Sequence, residues 1–147
     1  MGKRLYMGFK GNNNASSAVA RALSDECVLL TNSFAGVKRD IESLGGDYDC
    51  VMMFGVDRNL KAGLRIEPVA EKEGVTQVSS LNLDRIQASF ESVGLKAEMA
   101  KTPTHYLCNE AYRYALKKFD GKAVLIHIPT LKYVDTAFIE KIKQVCR

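Results

Sequence analysis

The sequence predicts an α/β domain: a three-layer α/β/α sandwich around a mostly parallel central sheet, with a mixed sheet as the permitted variant. Three observations predict it. Short apolar runs alternate with amphipathic segments from end to end, the connections between them are short, and neither a linker nor an internal repeat interrupts the pattern. Residues 1–147 therefore read as one domain.

The first strand covers residues 5–9 and runs into the polar turn Gly11-Asn12-Asn13-Asn14. Residues 15–23 follow as a helix, with Asn14 or a neighbour as its cap. Residues 27–31 form a second strand. A second helix over residues 37–44 places Val37, Ile41 and Leu44 on one face and stops at Gly45-Gly46. Residues 48–54, apolar apart from Asp49, read as a strand covered on both faces. Residues 64–69 form another strand or an edge hairpin, because Pro68 is tolerated at a sheet edge but not at its centre. Ile86, Phe90 and Val93 mark an amphipathic helix over residues 83–93, capped by Asn82 or Asp84 and ended by Gly94. A short strand over 95–99, a helix over 107–119, a strand over 123–128 and a closing helix over 134–145 complete the pattern. In such sheets ligands sit at the carboxyl ends of the strands, so chemistry is expected there.

Composition narrows the function classes. The chain is 46% hydrophobic and 26% charged, and its 21 basic residues exceed its 17 acidic ones by only four. The basic residues are scattered, which gives no positive reason for nucleic-acid binding. No apolar run reaches the roughly 18 residues of a membrane-spanning helix. The first residues lack the apolar core of about 7 that a secretion signal needs, so a reducing cytoplasm is the expected compartment. Cys27, Cys50, Cys108 and Cys146 are far apart and form no C-x-x-C pair, which fits neither a zinc motif nor a disulfide framework. By their apolar neighbours Cys27, Cys50 and Cys146 read as small buried hydrophobes.

Cys108 has the most suggestive context. It falls at the start of a helix, after the cap candidates of Thr102-Pro103-Thr104. A thiol in a first turn feels the positive end of the helix dipole, which favours the nucleophilic thiolate, and the free N–H groups there can hold an oxyanion. The alternative is a buried cysteine filling a gap between helix and sheet. Only His105 and His127 can serve a thiol as base. His127 closes an apolar strand at the carboxyl edge of the sheet, either as a satisfied core histidine or as a catalytic one. His105 stands three residues before Cys108, facing it across one turn or lying in a loop near the pocket. Glu67, between apolar neighbours, reads either as the partner of a histidine N–H or as a solvated edge residue. The turn after the first strand, Gly8-Phe9-Lys10-Gly11, lacks both the third glycine of a dinucleotide fingerprint and the Lys-Ser/Thr of a P-loop.

Five fragments taken in order resemble the pyroglutamyl peptidase (pyrrolidone carboxylate peptidase) family of cysteine peptidases. They are Gly8-Phe9, the glycine-ended strand Tyr48-Asp49-Cys50-Val51-Met52-Met53-Phe54-Gly55, Ile66-Glu67-Pro68-Val69-Ala70, Tyr106-Leu107-Cys108-Asn109 and Ile126-His127-Ile128-Pro129. The resemblance implies a triad of Cys108 as nucleophile, His127 as base and Glu67 as orienting carboxylate. It also implies that Leu107 lines a lactam pocket and that Phe9 forms an aromatic wall of it. The chain resembles a shortened member. The Gly-Phe turn continues into Lys10-Gly11-Asn12-Asn13-Asn14 rather than a second Phe and a glycine pair, and Glu71-Lys72-Glu73-Gly74 stands where the family carries an Asn and an Arg-containing loop.

The function expected from this resemblance is removal of an N-terminal pyroglutamate, or a similar small acyl group, from a small peptide. No metal or organic cofactor is expected, nor a nucleic-acid or membrane partner, and a homo-oligomer is left open. Two other readings follow from the same residues: a catalytically reduced member acting as a binding or interaction module, and a hydrolase of a different amide.

Overall fold

The computed structural model describes residues 2–146. Eight strands and five helices follow one another in these residues: β1 (Arg4–Phe9), α1 (Ala15–Leu23), β2 (Val28–Leu30), α2 (Phe34–Glu42), β3 (Cys50–Val56), β4 (Leu64–Glu67), β5 (Val69–Lys72), β6 (Val75–Val78), α3 (Leu83–Ser92), β7 (Ala97–Met99), α4 (Tyr106–Lys118), β8 (Ala123–Ile128) and α5 (Thr136–Cys146). Six strands form one sheet in the order β2-β1-β3-β8-β4-β7, and β5 pairs with β6 as a separate hairpin. All neighbours in the large sheet are parallel except β4 and β8, which run antiparallel. The sheet is therefore mixed, the variant the sequence permitted.

Alternation along the strands divides the core in two. Tyr6, Met52, Phe54, Val124 and Ile126 face one layer with Val19, Phe90, Phe138 and Ile142 of α1, α3 and α5. Met7, Met53 and Leu125 face the other, with Val37, Ile41, Ala111, Tyr112 and Ala115 of α2 and α4. Period-2 strands packed against period-3.6 helices on both sides make the three-layer sandwich.

Helix starts follow side-chain caps. Asn14 accepts the amide of Ser16 at 2.9 Å, Ser33 that of Gly36 at 2.9 Å and Asn82 that of Arg85 at 3.1 Å. The Ser33 cap explains why α2 begins at Phe34, three residues before the expected Val37. Gly8 gives α1 its close seat on β1, since a side chain there would run into the Ser16 carbonyl. The Phe9 amide is already taken by Ser16 Oγ at 2.9 Å, so this turn is no open phosphate cradle.

Two expectations are corrected. Pro68 does not put its strand at an edge: β4 lies between β8 and β7 and ends at Glu67, one residue before the proline can remove a ladder donor. Val69, expected in the same strand or edge hairpin as residues 64–68, instead opens the separate hairpin β5–β6, closed by Glu73 and Gly74, both at positive φ. Among the cysteines, Cys146 is buried as expected, whereas Cys27 and Cys50 are partly exposed.

Candidate active site

Three strands and one helix bring the site together. The parallel register of β3 and β8 sets Gly55 beside His127, and the antiparallel register of β4 and β8 sets Arg65 beside His127. Glu67, two residues along β4, projects from the same face as Arg65. This is the α4 face, because Leu64 and Ile66, which alternate with them, pack into the opposite core layer, and Tyr112 of α4 donates its hydroxyl to the Glu67 carbonyl at 2.7 Å. Gly55 has no side chain, and the Cys108 thiol fills that space. A Cβ built on Gly55 would stand 2.8 Å from Cys108 Sγ and 3.5 Å from His127 Cδ2. Sulfur and imidazole thus converge on one glycine at the carboxyl ends of β3 and β8, on the ring side away from Nδ1.

The other side of the ring is occupied. His127 Nδ1 lies 2.9 Å from Glu67 Oε2, with both side chains almost fully buried. A buried histidine carrying a carboxylate on Nδ1 keeps its proton there and presents Nε2 as acceptor. The solvated alternative for Glu67 is overturned, since the residue is 1% exposed. A bare buried carboxylate would be costly. Arg65 offsets that cost, its Nε donating to the same Oε2 at 2.8 Å. Arg65 is held in turn by Asp57, Nη2 to Oδ2 at 2.8 Å, and its Nη2 also lies 3.3 Å from His127 Nδ1. Burial works against the Asp57 carboxyl, but the Asn59 amide and the Arg65 guanidinium outweigh it and hold it below the ordinary carboxylate range.

Cys108 is the third residue of α4, whose N-cap is His105. His105 makes no side-chain capping bond, so the first-turn N–H groups are left to serve a ligand. The expected cap role of Thr102 or Thr104 is therefore corrected, and His105 is a loop residue at the pocket. Tyr106 opens the helix at φ 62°, a left-handed conformation that non-glycine residues rarely adopt. A further expectation fails in direction. Burial, with the negative charges of Glu67 and Asp57, pushes the Cys108 thiol up from 9.0 to about 11. The helix dipole does not win, and the resting sulfur is a thiol rather than a thiolate.

A cavity of about 410 Å³ opens over Cys108 and His127, walled by Val56, Asp57, Arg58, His105, Tyr106 and Leu107. Asp57 and His105 also border a second cavity, of about 740 Å³, reaching over Arg65 and Glu67 toward Lys101 and Pro103. Leu107 lines the smaller of these cavities. Phe9 does not: it is 3% exposed, belongs to the core cluster on the α2/α4 side and lines neither cavity. The aromatic ring at the mouth is Tyr106.

No protein-family model matches the chain, and no curated protein matches it by sequence. Solved structures do match it. A pyrrolidone carboxyl peptidase from Thermococcus litoralis superposes at a TM-score of 0.75 and 20% identity, over 99% of this chain and 91% of that one. The pyrrolidone carboxyl peptidase of Thermus thermophilus matches at 0.76 and 17% identity, over 97% of each chain. That of Fervidobacterium islandicum matches at 0.77 and 17% identity, over 97% of this chain and 93% of that one. This chain has the fold of those peptidases.

Two residues of the site, Asp57 and Arg65, went unread in the sequence. Arg65 alternates with Glu67 at strand spacing, a signal that was available. Asp57 carried none, because its pairing depends on the reversed direction of β4. Asn109, quoted for the resemblance, has a visible task. Its side chain accepts from the Glu71 amide at 3.2 Å and donates to the Glu71 carbonyl at 2.8 Å, tying β5 to the helix that carries Cys108.

Proposed function

We propose that this protein is a cysteine-dependent amide hydrolase that removes pyroglutamate, or a similar small acyl group, from the N-terminus of a peptide. The observation that carries the proposal is the meeting of a helix-first-turn thiol and an imidazole at Gly55, with that imidazole anchored on its far nitrogen by a buried carboxylate. The fold shared with three pyrrolidone carboxyl peptidases supports the substrate class.

The chemistry follows from the geometry. His127 Nε2 takes the Cys108 proton as the sulfur attacks the carbonyl carbon. The C=O electron pair moves onto oxygen, where the free first-turn N–H groups of α4 receive it. As the oxyanion collapses, the C–N bond breaks and the His127 proton passes to the leaving amine, giving a thioester on Cys108. Water, deprotonated by His127, then attacks the thioester, releases the acid and returns the sulfur to the thiol. Glu67 holds the ring and faces the imidazolium that forms at each transfer. Because the resting sulfur is a thiol, proton removal accompanies attack instead of preceding it. Leu107 supplies the apolar wall for the acyl group. Free cysteines suit a reducing compartment, and we place the activity in the cytoplasm.

The test is release of a fluorophore from a pyroglutamyl amide, run beside a panel of other small acyl amides. Turnover of the pyroglutamyl compound, abolished in Cys108→Ala and His127→Ala, is the expected result. Turnover confined to another acyl amide would keep the chemistry and replace the substrate. A binding module that turns nothing over is the reading favoured by the raised thiol pKa. A protein that binds acyl amides but leaves all of them intact would establish it.

A further inference from the structure

We propose that Asp57 and Arg65 are positioning residues that set the proton affinity of His127, acting through a three-charge chain that ends on the imidazole. The inference rests on the reading of His127 as the general base and adds to it what tunes that base.

The arrangement is more than an ion pair near a histidine. Cross-strand register puts Arg65 directly beside His127, and its guanidinium reaches three groups: Glu67 Oε2 at 2.8 Å, Asp57 Oδ2 at 2.8 Å and His127 Nδ1 at 3.3 Å. Arg65 and His127 thus converge on the same carboxylate oxygen, while Glu67 Oε1 is buried without a partner among the described residues. A cation sharing that oxygen weakens what Glu67 offers the imidazolium. Asp57 counters this by drawing the guanidinium charge toward the loop after β3. Asp57, Arg65 and Glu67 together present one net negative charge to the ring. The remaining polar and titratable groups around the ring are Arg58 and Asn59 of the β3–β4 loop, Thr104, His105 and Tyr106 before and at the start of α4, and Cys108 itself. None of these touches Nδ1.

The sign of each substitution follows. Asp57→Asn leaves Arg65 uncompensated beside Nδ1, so imidazolium is disfavoured and the His127 pKa falls. Arg65→Gln exposes the ring to two carboxylates with no cation, so the pKa rises. Charges at this range move a pKa by about 1 or more. In the double variant both charges are gone, and the value returns toward that of the parent.

The experiment is an NMR titration of the His127 imidazole in a His105→Asn background, which leaves one histidine in the chain. It is paired with the pH profile of kcat/KM on the acyl amide that is turned over. The expected result is a titration midpoint lower by about 1 pH unit in Asp57→Asn, with the acid limb of the profile moving with it. Coincident titration curves for parent and Asp57→Asn overturn the proposal, even if the melting temperature of the variant falls, because a merely structural pair would lower stability and leave the titration in place. Asp57 is 23% exposed and the change is isosteric, so this variant decides the matter whether or not Arg65→Gln folds. If no acyl amide is turned over yet the titration moves, the hydrolase reading fails and the charge chain stands. If turnover is present and the titration is unmoved, the charge chain alone fails.

Discussion

Gly55 and Cys108 share one space: the sulfur sits where a side chain on Gly55 would begin, 2.8 Å from the position of its Cβ. β3 reaches its end without a side chain on the α4 face, and that gap lets a helix-borne thiol drop to the level of the His127 ring. Gly55→Ala should therefore turn the sulfur away from the imidazole while leaving the sheet intact, since Gly55 is not among the residues at positive φ. A displacement of about 1 Å in a nucleophile costs on the order of 100-fold in rate. We expect that loss in kcat, with unfolding free energy lowered by about 1 kcal/mol, within the range of a mild overpacking defect. Steady-state kinetics and urea unfolding check both halves. An alanine variant that turns over like the parent would show that the contact is incidental.

Glu67 orients the ring and also accepts Arg65, so its two conservative replacements should separate those tasks. Glu67→Gln keeps the shape but removes the charge that favours imidazolium, and its amide can present the wrong hydrogen to Nδ1. We expect kcat to fall by about 100- to 10,000-fold, the range for losing the orienting carboxylate of a triad. Glu67→Ala also strips the buried imidazole of its carboxylate and leaves the part-buried Arg65 with Asp57 alone. It should destabilise the fold by about 3–5 kcal/mol, as when one partner of a buried ion pair is removed. Thermal unfolding in parallel with turnover distinguishes the two.

Much of this arrangement was legible in the residues, and what was not has physical causes. Residues 15–23 and 123–128 fall where periodicity puts them, because α1 has a local cap in Asn14 and β8 is apolar throughout except for His127. The five fragments in their order, rather than any single residue, are what imply a triad of Glu67, Cys108 and His127. Burial of Glu67 could not be read locally, because its environment is made by β8 and α4, 45 to 60 residues away. The edge placement inferred from Pro68 failed because a strand can stop one residue short of a proline and still lie inside a sheet. The thiol's direction failed for a different reason. A first-turn position is a local property, whereas burial and the two carboxylates that outweigh it come from the tertiary structure.

The same burial makes the fold sensitive to alkali. The Cys108 thiol is pushed up from 9.0 to about 11 and the Cys146 thiol from 9.0 to about 12, in both cases first by burial. A raised folded-state value means that the unfolded chain releases these protons first. The stabilisation is fully present below about pH 9 and is lost as pH rises through 11 and 12. For Cys108 the rise from 9.0 to about 11 corresponds to about 2.7 kcal/mol. Unfolding free energies measured by urea between pH 8 and pH 11 should fall in the parent, and fall less in Cys108→Ala by about 2 kcal/mol. The reactivity counterpart is that iodoacetamide labels Cys108 slowly at neutral pH and progressively faster up to about pH 11. Rapid labelling at pH 7 would mean that a thiolate is already present and that His127 holds the proton at rest.

Tyr106 stands at φ 62°, two residues before Cys108, and is 85% exposed. The left-handed turn there sends the chain from the loop into α4 so that Cys108 occupies the first turn and His105 remains outside as an uncapped N-cap. For an L-residue this conformation costs about 1–2 kcal/mol, and glycine escapes the cost. Tyr106→Ala retains the strained backbone, whereas Tyr106→Gly relieves it. The glycine variant should therefore unfold at a free energy about 1 kcal/mol higher than the alanine variant, the reverse of the usual preference in a helix interior. Because both lose the ring at the cavity mouth, both should show a raised KM, and the glycine variant should in addition lose kcat if the strain is what holds Cys108 toward His127. Urea unfolding of the pair gives the first difference and their kinetics the second. An alanine variant as stable as glycine would mean that the backbone at 106 is free to leave the left-handed region, and that the nucleophile is positioned by its contact with Gly55 alone.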